Sequence, residues 1–109
     1  MPRPVRTPKP PYYVVTFVSR LGAETEGYAE TDVRMTALSE GRPGLLGVDS
    51  VRGPDGFGIT VSYWTDEESI ASWRADAEHT EARRRGRETW YDEFVVHISR
   101  VERAYRFER

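Results

Sequence analysis

The residues of this chain that could carry chemistry are concentrated between residues 63 and 91. This stretch, YWTDEESIASWRADAEHTEARRRGRETWY, contains all three tryptophans, one of the two histidines and the densest cluster of arginines. It begins where one apolar run ends and closes where the next begins, so it predicts a helical connection between two strands. If the protein has a site, we expect its polar groups to belong to this connection.

Composition excludes several classes of protein. A chain of 109 residues predicts one domain, and the absence of cysteine excludes disulfides and thiolate metal sites. The formal charge of -2 argues against nucleic-acid binding. No apolar stretch approaches the roughly 20 residues of a membrane span, and no signal peptide is recognisable. We therefore expect a cytoplasmic protein without nucleic-acid or membrane partners.

The chain begins with a proline-rich segment. Residues 1–11 hold five of the seven prolines and three cations. Such proline density favours extended, unpaired backbone, so we predict a flexible tail over residues 1–11 and a folded domain over residues 12–109. A basic recognition arm is the alternative interpretation of the same residues.

Hydrophobic periodicity and turn residues divide the folded part into alternating elements. The expected order is a strand (12–20), a helix (28–40), a strand (45–52), a strand (57–64), a pair of helices (65–88) and a long strand (90–107). Gly53-Pro54-Asp55-Gly56 predicts a tight turn between the second and third strands. Thr65 and Glu68 have the spacing of a capping box. The last strand changes its apolar face after Ile98, which suggests a bulge or a strand that leaves the sheet.

This order predicts an α+β, ferredoxin-like fold, with one antiparallel sheet and the helices on one face. The opposite face remains apolar, at Val15, Phe17, Val61 and Val95 or at their neighbours, and such patches mark interfaces. We therefore expect a twofold homodimer with sheets face to face. In the third strand, Thr60 and Ser62 either line a wet cavity or are half exposed, since alternation alone does not distinguish the two.

Several segments resemble one family. Pro43-Gly44-Leu45-Leu46-Gly47, and Tyr63-Trp64 followed by Trp73, are similar to the motifs of antibiotic biosynthesis monooxygenase (ABM) domains. The likeness extends over roughly residues 12–105. It implies a dimeric α+β barrel. The family includes polyketide oxygenases, haem degraders and many members without known activity, so the fold does not fix the function.

The resemblance implies a cofactor-independent monooxygenase acting on an aromatic or polyketide-like small molecule. Such enzymes hold an electron-rich phenol between sheet and helices, deprotonate it and let its carbanion react with oxygen. The expected parts are an apolar pocket, a proton acceptor and a partner for the phenolate. The residues that could supply them are Tyr63 and Trp73 as walls, His79 or His97 as base, and Arg83 or Arg87 as anion partner.

Each of these residues also has a structural interpretation. His79 suits a solvated or capping position. His97 points either into the cavity or at the dimer seam, and a hydrogen-bonded buried histidine is the structural interpretation. Arg83 and Arg87 lie where cations favour a helix end, and Trp73 could simply anchor the core. The histidines form no paired ligand motif, so we predict no metal site. The alternative function, from another class, is a non-catalytic barrel that binds a small apolar ligand.

Haem degradation is the lesser alternative. The haem degraders of this family resemble one another in an Asn, Trp, His triad. Trp73 matches their tryptophan, but the position of their histidine, ten residues further, is Arg83. This chain contains no asparagine. We therefore expect no cofactor.

Overall fold

The computed structural model describes residues 3–109, apart from the side chain of residue 77. Four antiparallel strands form one sheet in the order β2-β3-β1-β4, and three helices pack on one face. The strands are β1 (Tyr12–Leu21), β2 (Leu45–Arg52), β3 (Phe57–Trp64) and β4 (Tyr91–Val101). The helices are α1 (Tyr28–Ser39), α2 (Glu67–Ala75) and α3 (Ala77–Arg85), and a π-helical turn (Gly86–Trp90) follows α3. This is the predicted α+β, ferredoxin-like arrangement.

The hairpin of β2 and β3 has the bounds predicted for it. The Gly56 amide donates to the carbonyl of Gly53 at 3.0 Å, and the Gly53 amide donates to the carbonyl of Phe57 at 2.8 Å. These bonds close the turn that the Gly-Pro-Asp-Gly run predicts. Turn chemistry therefore fixed both the position and the pairing of the two strands.

The start of α2 differs from its prediction. The residue that caps this helix is Asp66, whose carboxylate accepts from the amide of Ser69 at 2.7 Å. Thr65 instead donates its hydroxyl to Asp66. The predicted capping box of Thr65 and Glu68 is therefore wrong by one residue, because an aspartate caps as well as a threonine and stands one position closer to the helix.

Gly44 allows the chain to enter β2 next to α2. Its φ is 85°, and a Cβ there would lie 2.1 Å from Ser69 Oγ. The carbonyl of Gly44 accepts from the Thr65 amide at 2.9 Å, which holds the two segments together.

We expect Gly44→Ala to lower the free energy of unfolding by at least about 1–2 kcal/mol, the cost of a left-handed non-glycine residue. Urea denaturation measures the change. Gly41→Ala is the matched control, because a Cβ at Gly41 meets nothing within 4 Å. Equal stabilities of the two variants would contradict the role assigned to Gly44.

The end of the chain also differs from its prediction. β4 stops at Val101 rather than near residue 107, and it pairs with β1 in regular register from Glu93 to Val101. The irregularity lies at the other end of this pair, between Arg20 and Leu21. The change of apolar face after Ile98 therefore reflects the end of the strand and not a bulge within it.

Residues 102–109 lie against the N-terminal segment. The guanidinium of Arg106 donates to the carbonyls of Pro4 and Val5, both at 3.2 Å. Arg3 and Arg6 form ion pairs with Glu108. The first two residues of the predicted tail lie outside the described residues, and the flexibility of the tail stays a prediction.

The two faces of the sheet have different surroundings. The covered face, which the helices overlie, includes Val15, Phe17 and Val96; the outer face carries an apolar row across all four strands. In the order β2-β3-β1-β4 this row is Val51, Ile59, Val18 and Val95. Four residues were predicted for the uncovered face. Val61 and Val95 do lie on the outer face, whereas Val15 and Phe17 lie on the covered face. No helix in residues 3–109 is long and apolar enough to cross a bilayer.

Candidate active site

A cavity of about 350 Å³ lies between the covered face and the helices. This volume is in the range of roughly 300–1,000 Å³ that is usual for small-molecule sites. Thr60 and Ser62 lie on the floor of this cavity, and both side chains are half buried. The apolar lining comes mainly from Val15, Phe17, Met35, Trp64, Ile70, Trp73, Phe94, Val96 and Ile98.

Trp73 and His79 form one unit in the cavity wall. Their rings are stacked, with centroids 4.2 Å apart and an interplanar angle of 13°. Asp76 separates α2 from α3, and its carboxylate caps α3 by accepting from the His79 amide at 3.1 Å. This cap brings the imidazole back over the last turn of α2. The predicted pocket tryptophan and one of the two predicted bases therefore lie side by side.

The hydrogen bond of the imidazole fixes its tautomer. Nδ1 of His79 lies 3.0 Å from the carbonyl oxygen of Trp73. A carbonyl only accepts, so Nδ1 must donate the proton in this bond, and in the neutral ring Nε2 carries the free lone pair. His79 is thus prepared to take a proton at Nε2.

The surroundings keep this imidazole neutral. Burial lowers the pKa of His79 below its ordinary value of 6.5, and the positive charges of Arg83 and Arg74 lower it further. The Trp73 carbonyl and Asp76 act in the opposite direction. Because the net effect is downward, His79 is a neutral base near pH 7.

Arg83 and Arg87 line the same cavity. Arg83 is half buried, and one terminal nitrogen donates to the carbonyl of Arg74 at 3.3 Å. Its Nε is buried without a hydrogen-bond partner. Burial, followed by the charges of Arg74 and Arg87, lowers the pKa of Arg83. A guanidinium in this setting is favourably placed to meet an anion.

Two predicted site residues lie elsewhere. Tyr63 and His97 are on the outer face. Their neighbours in the strands, Ser62 and Val96, line the cavity, and successive strand residues point to opposite faces of the sheet. The Tyr63 hydroxyl donates to Asp49 at 2.8 Å, and burial together with this carboxylate raises its pKa to about 12. The structure therefore brings together Trp73, His79, Arg83 and Arg87, but neither Tyr63 nor His97.

Sequence reasoning missed three residues at the hairpin end of the cavity, namely Arg52, Tyr28 and Tyr91. Arg52 donates to Ser19 Oγ at 2.7 Å, and its guanidinium lies 5.7 Å and 5.9 Å from the ring centroids of Tyr28 and Tyr91. Burial, followed by the neighbouring Tyr28, raises the pKa of Tyr91.

The signal for Arg52 was present in the hairpin register. Arg52 pairs with Gly58, which shares the covered face with Thr60 and Ser62. A Cβ at Gly58 would lie 2.7 Å from the guanidinium carbon, so the glycine makes room for Arg52 to cross the strand. Register and a glycine in mid-strand together could have assigned Arg52 to the cavity.

Solved structures share this fold. A structure described as a putative antibiotic biosynthesis monooxygenase from Deinococcus radiodurans superposes with a TM-score of 0.74 at 10% identity, over 90% of this chain and 99% of that one. A mutant of SnoaB, a cofactor-independent oxygenase from Streptomyces nogalater, superposes with a TM-score of 0.67 at 16% identity, over 86% and 95% of the two chains. The fold is therefore that of the ABM domains.

Sequence comparison gives a nearer relative. No family profile matches the chain. YqjZ of Bacillus subtilis, a protein of uncharacterized function, is 46% identical over 103 residues, which cover 94% of this chain and 90% of YqjZ. The chain belongs to the same family as YqjZ.

The cavity does not fit the haem arrangement. Arg83 stands where the resemblance places the iron-binding histidine, and a protonated guanidinium is no metal ligand. Within residues 3–109, no three His, Cys, Asp or Glu side chains are grouped so that they could hold a metal ion. Apart from Asp32 and several hydroxyl groups, the polar side chains of the described lining are the imidazole of His79 and four guanidiniums.

Proposed function

We propose that this protein is a cofactor-independent monooxygenase that oxidises an electron-rich phenol in the cavity. The observation that carries the proposal is the tautomer of His79. Its Nδ1 is held by the Trp73 carbonyl at 3.0 Å, so Nε2 is free to accept a proton. SnoaB, which has the same fold, is described as a cofactor-independent oxygenase, and this description supports the assignment.

His79 removes the phenolic proton and so raises the electron density of the ring. In the phenolic (enol) tautomer of the substrate, the activated ring CH₂ carbon is an aromatic CH, so loss of the phenolic proton places carbanion character on that carbon. Dioxygen adds there to give a hydroperoxide. One oxygen atom enters as a carbonyl and the other leaves as water, so the substrate supplies all the electrons. Trp73 stacks beside the base, and the apolar part of the lining can pack against the ring of the substrate.

The test is oxygen uptake by the full-length protein with 1,8-dihydroxyanthrone, a phenol that has such a CH₂ group. We expect uptake above the uncatalysed rate, one quinone formed per dioxygen consumed and no effect of a metal chelator. If the probe binds but uptake stays at the uncatalysed rate, the protein is a ligand-binding barrel instead. A Soret band that appears on addition of haem and then bleaches with ascorbate would contradict a cofactor-free reaction.

We propose further that two copies associate through the outer face. Val51, Ile59 and Val95 of the apolar row are 71%, 38% and 45% exposed in one copy. A twofold pairing of sheets would bury this row and make up for the few fully buried side chains of the single chain.

We expect Val95→Asp to dissociate the homodimer, because burying a carboxylate without a partner in an apolar interface costs about 3 kcal/mol or more. Sedimentation velocity at micromolar protein reports the change. Val33→Asp is the matched control. Val33 lies on α1 and is 70% exposed, so this variant should remain a dimer. A monomeric parent protein would overturn this assignment.

A further inference from the structure

The wall of the cavity formed by Arg74, Arg83 and Arg87 carries more positive charge than the proposed reaction uses. We call these three residues the cationic wall. All three line the cavity, although the whole chain has a net charge of -2. None of the ion pairs between described residues involves them. Arg84, in the same helix as Arg83, is by contrast paired with Glu81 and Glu88.

A helix-end role accounts for only part of Arg83, since one terminal nitrogen donates to the Arg74 carbonyl at the end of α2 while Nε has no partner. Cations that complement a helix dipole normally keep the guanidinium in water, whereas the Nε of Arg83 is buried and has no hydrogen-bond partner. A buried donor without a partner is costly unless a ligand supplies the acceptor. Asp32, the acidic residue in the described lining, does not pair with the wall; its charge acts on Tyr91 at the hairpin end.

The charges of the reaction leave the cationic wall uncompensated. Before proton transfer, the phenol and His79 are both neutral. After transfer, the negative charge of the phenolate balances the positive charge of the imidazolium, and none is left to balance the three guanidiniums. Arg74 and Arg87 are exposed to water, whereas Arg83 is half buried and its Nε has no hydrogen-bond partner. Arg83 is therefore the guanidinium that gains most from an anion that the ligand brings in addition to its phenol.

We infer that the cationic wall binds a carboxylate of the aromatic ligand, so that the substrate is a phenol that also bears an acid group. A guanidinium matches a planar carboxylate with two parallel hydrogen bonds. The anion also offsets the positive charge that appears on His79 when it takes the proton, so it would assist the base. The inference rests on the proposed function, because it assumes that an aromatic ring occupies the cavity.

Two probes that differ by one methyl group, and so by one negative charge, test the inference. 6-Hydroxy-2-naphthoate and its methyl ester are titrated into the full-length protein by calorimetry at low salt. We expect the acid to bind about tenfold or more tightly than the ester, since a charge-assisted hydrogen bond has that effect. Arg83→Ala should remove the preference for the acid without weakening the binding of the ester. Arg87→Ala should only reduce this preference, because Arg87 is exposed. Arg84→Ala is the matched control and should keep the full preference.

The outcomes separate the inference from the function on which it rests. Equal affinities for acid and ester, or equal weakening of both by Arg83→Ala, would overturn the carboxylate assignment and leave the phenol oxidase intact. Failure of both probes to bind would overturn the carboxylate assignment, and the oxidase would fall with it only if 1,8-dihydroxyanthrone is not oxidised either. Retention of the acid preference in Arg83→Ala and Arg87→Ala together would show that the anion is held elsewhere.

Discussion

Replacing His79 with alanine is expected to lower the rate of phenol oxidation by roughly 10²–10⁴-fold, the usual contribution of a positioned general base. The physical reason is that Nε2 of His79 is free to accept a proton. The Trp73 carbonyl oxygen, 3.0 Å from Nδ1, keeps the proton of the neutral imidazole on Nδ1. Alanine leaves the cavity and its arginines in place. Binding of an aromatic ligand should therefore change little, while oxygen uptake falls.

His97→Ala is the matched control for this experiment. It removes the same side chain from the outer face, where His97 pairs in register with Thr16 of β1. We expect its rate to stay near that of the parent protein. Loss of activity in His97→Ala together with full activity in His79→Ala would show that the base has been assigned to the wrong face of the sheet.

The pH dependence of the rate gives a second measure of the same assignment. A base works when it is neutral, so the rate should fall as the pH drops through the pKa of His79. Burial and the neighbouring arginines lower that pKa below its ordinary value of 6.5. The rate should therefore be level from about pH 7 to 9 and fall only at lower pH, in a limb that His79→Ala lacks. A rate that still rises above about pH 7 would contradict the lowered pKa.

Replacing Trp64 with alanine is expected to lower the free energy of unfolding by about 3–5 kcal/mol. Trp64 is 1% exposed, and its indole nitrogen donates to Ser62 Oγ at 2.9 Å. Tyr12, Ile70 and Trp90 are the other buried apolar side chains in the described part of the chain. With so small a core, the melting temperature should fall by roughly 12–40 °C, given about 4–8 °C per kcal/mol for a domain of this size.

Trp64→Phe is a milder test of the same position. It keeps one aromatic ring but loses the second ring and the bond to Ser62, so the cost should be smaller than for alanine, roughly 1–3 kcal/mol. Thermal unfolding followed by circular dichroism measures both variants. A change of less than about 3 °C for Trp64→Ala would mean that the end of β3 contributes little to the core.

Much of the fold could be predicted because the signals were local. Proline and glycine in the 53–56 turn fix the hairpin, and helical spacing locates α1 to within one residue of its end. The helix caps were harder, since Thr65 and Asp66 are both good capping residues in consecutive positions. The strand end at Val101 had no such signal, because apolar residues continue beyond it to Phe107.

The candidate site could be predicted only in part. Alternation along β3 separates Tyr63 from Ser62, but both faces of the sheet are apolar, so the sequence does not say which face the helices cover. Tyr63 was for this reason expected in the cavity, and His97 either in the cavity or at the dimer seam. His79 and Arg83 were easier, since they belong to the helices themselves. Their relation to Trp73 depends on the break at Asp76, which the sequence analysis did not identify.

The alternation of the two faces also limits how the strands can evolve. Along β3 and β4, residues of the cavity floor alternate with residues of the outer face, as Ser62 does with Tyr63 and Val96 with His97. Deleting or inserting one residue in the middle of either strand would move every later side chain to the opposite face. Length changes within these strands should therefore be rejected far more often than substitutions. Natural variation in ligand choice would then arise from side-chain exchange and from the helices, with strand length kept constant.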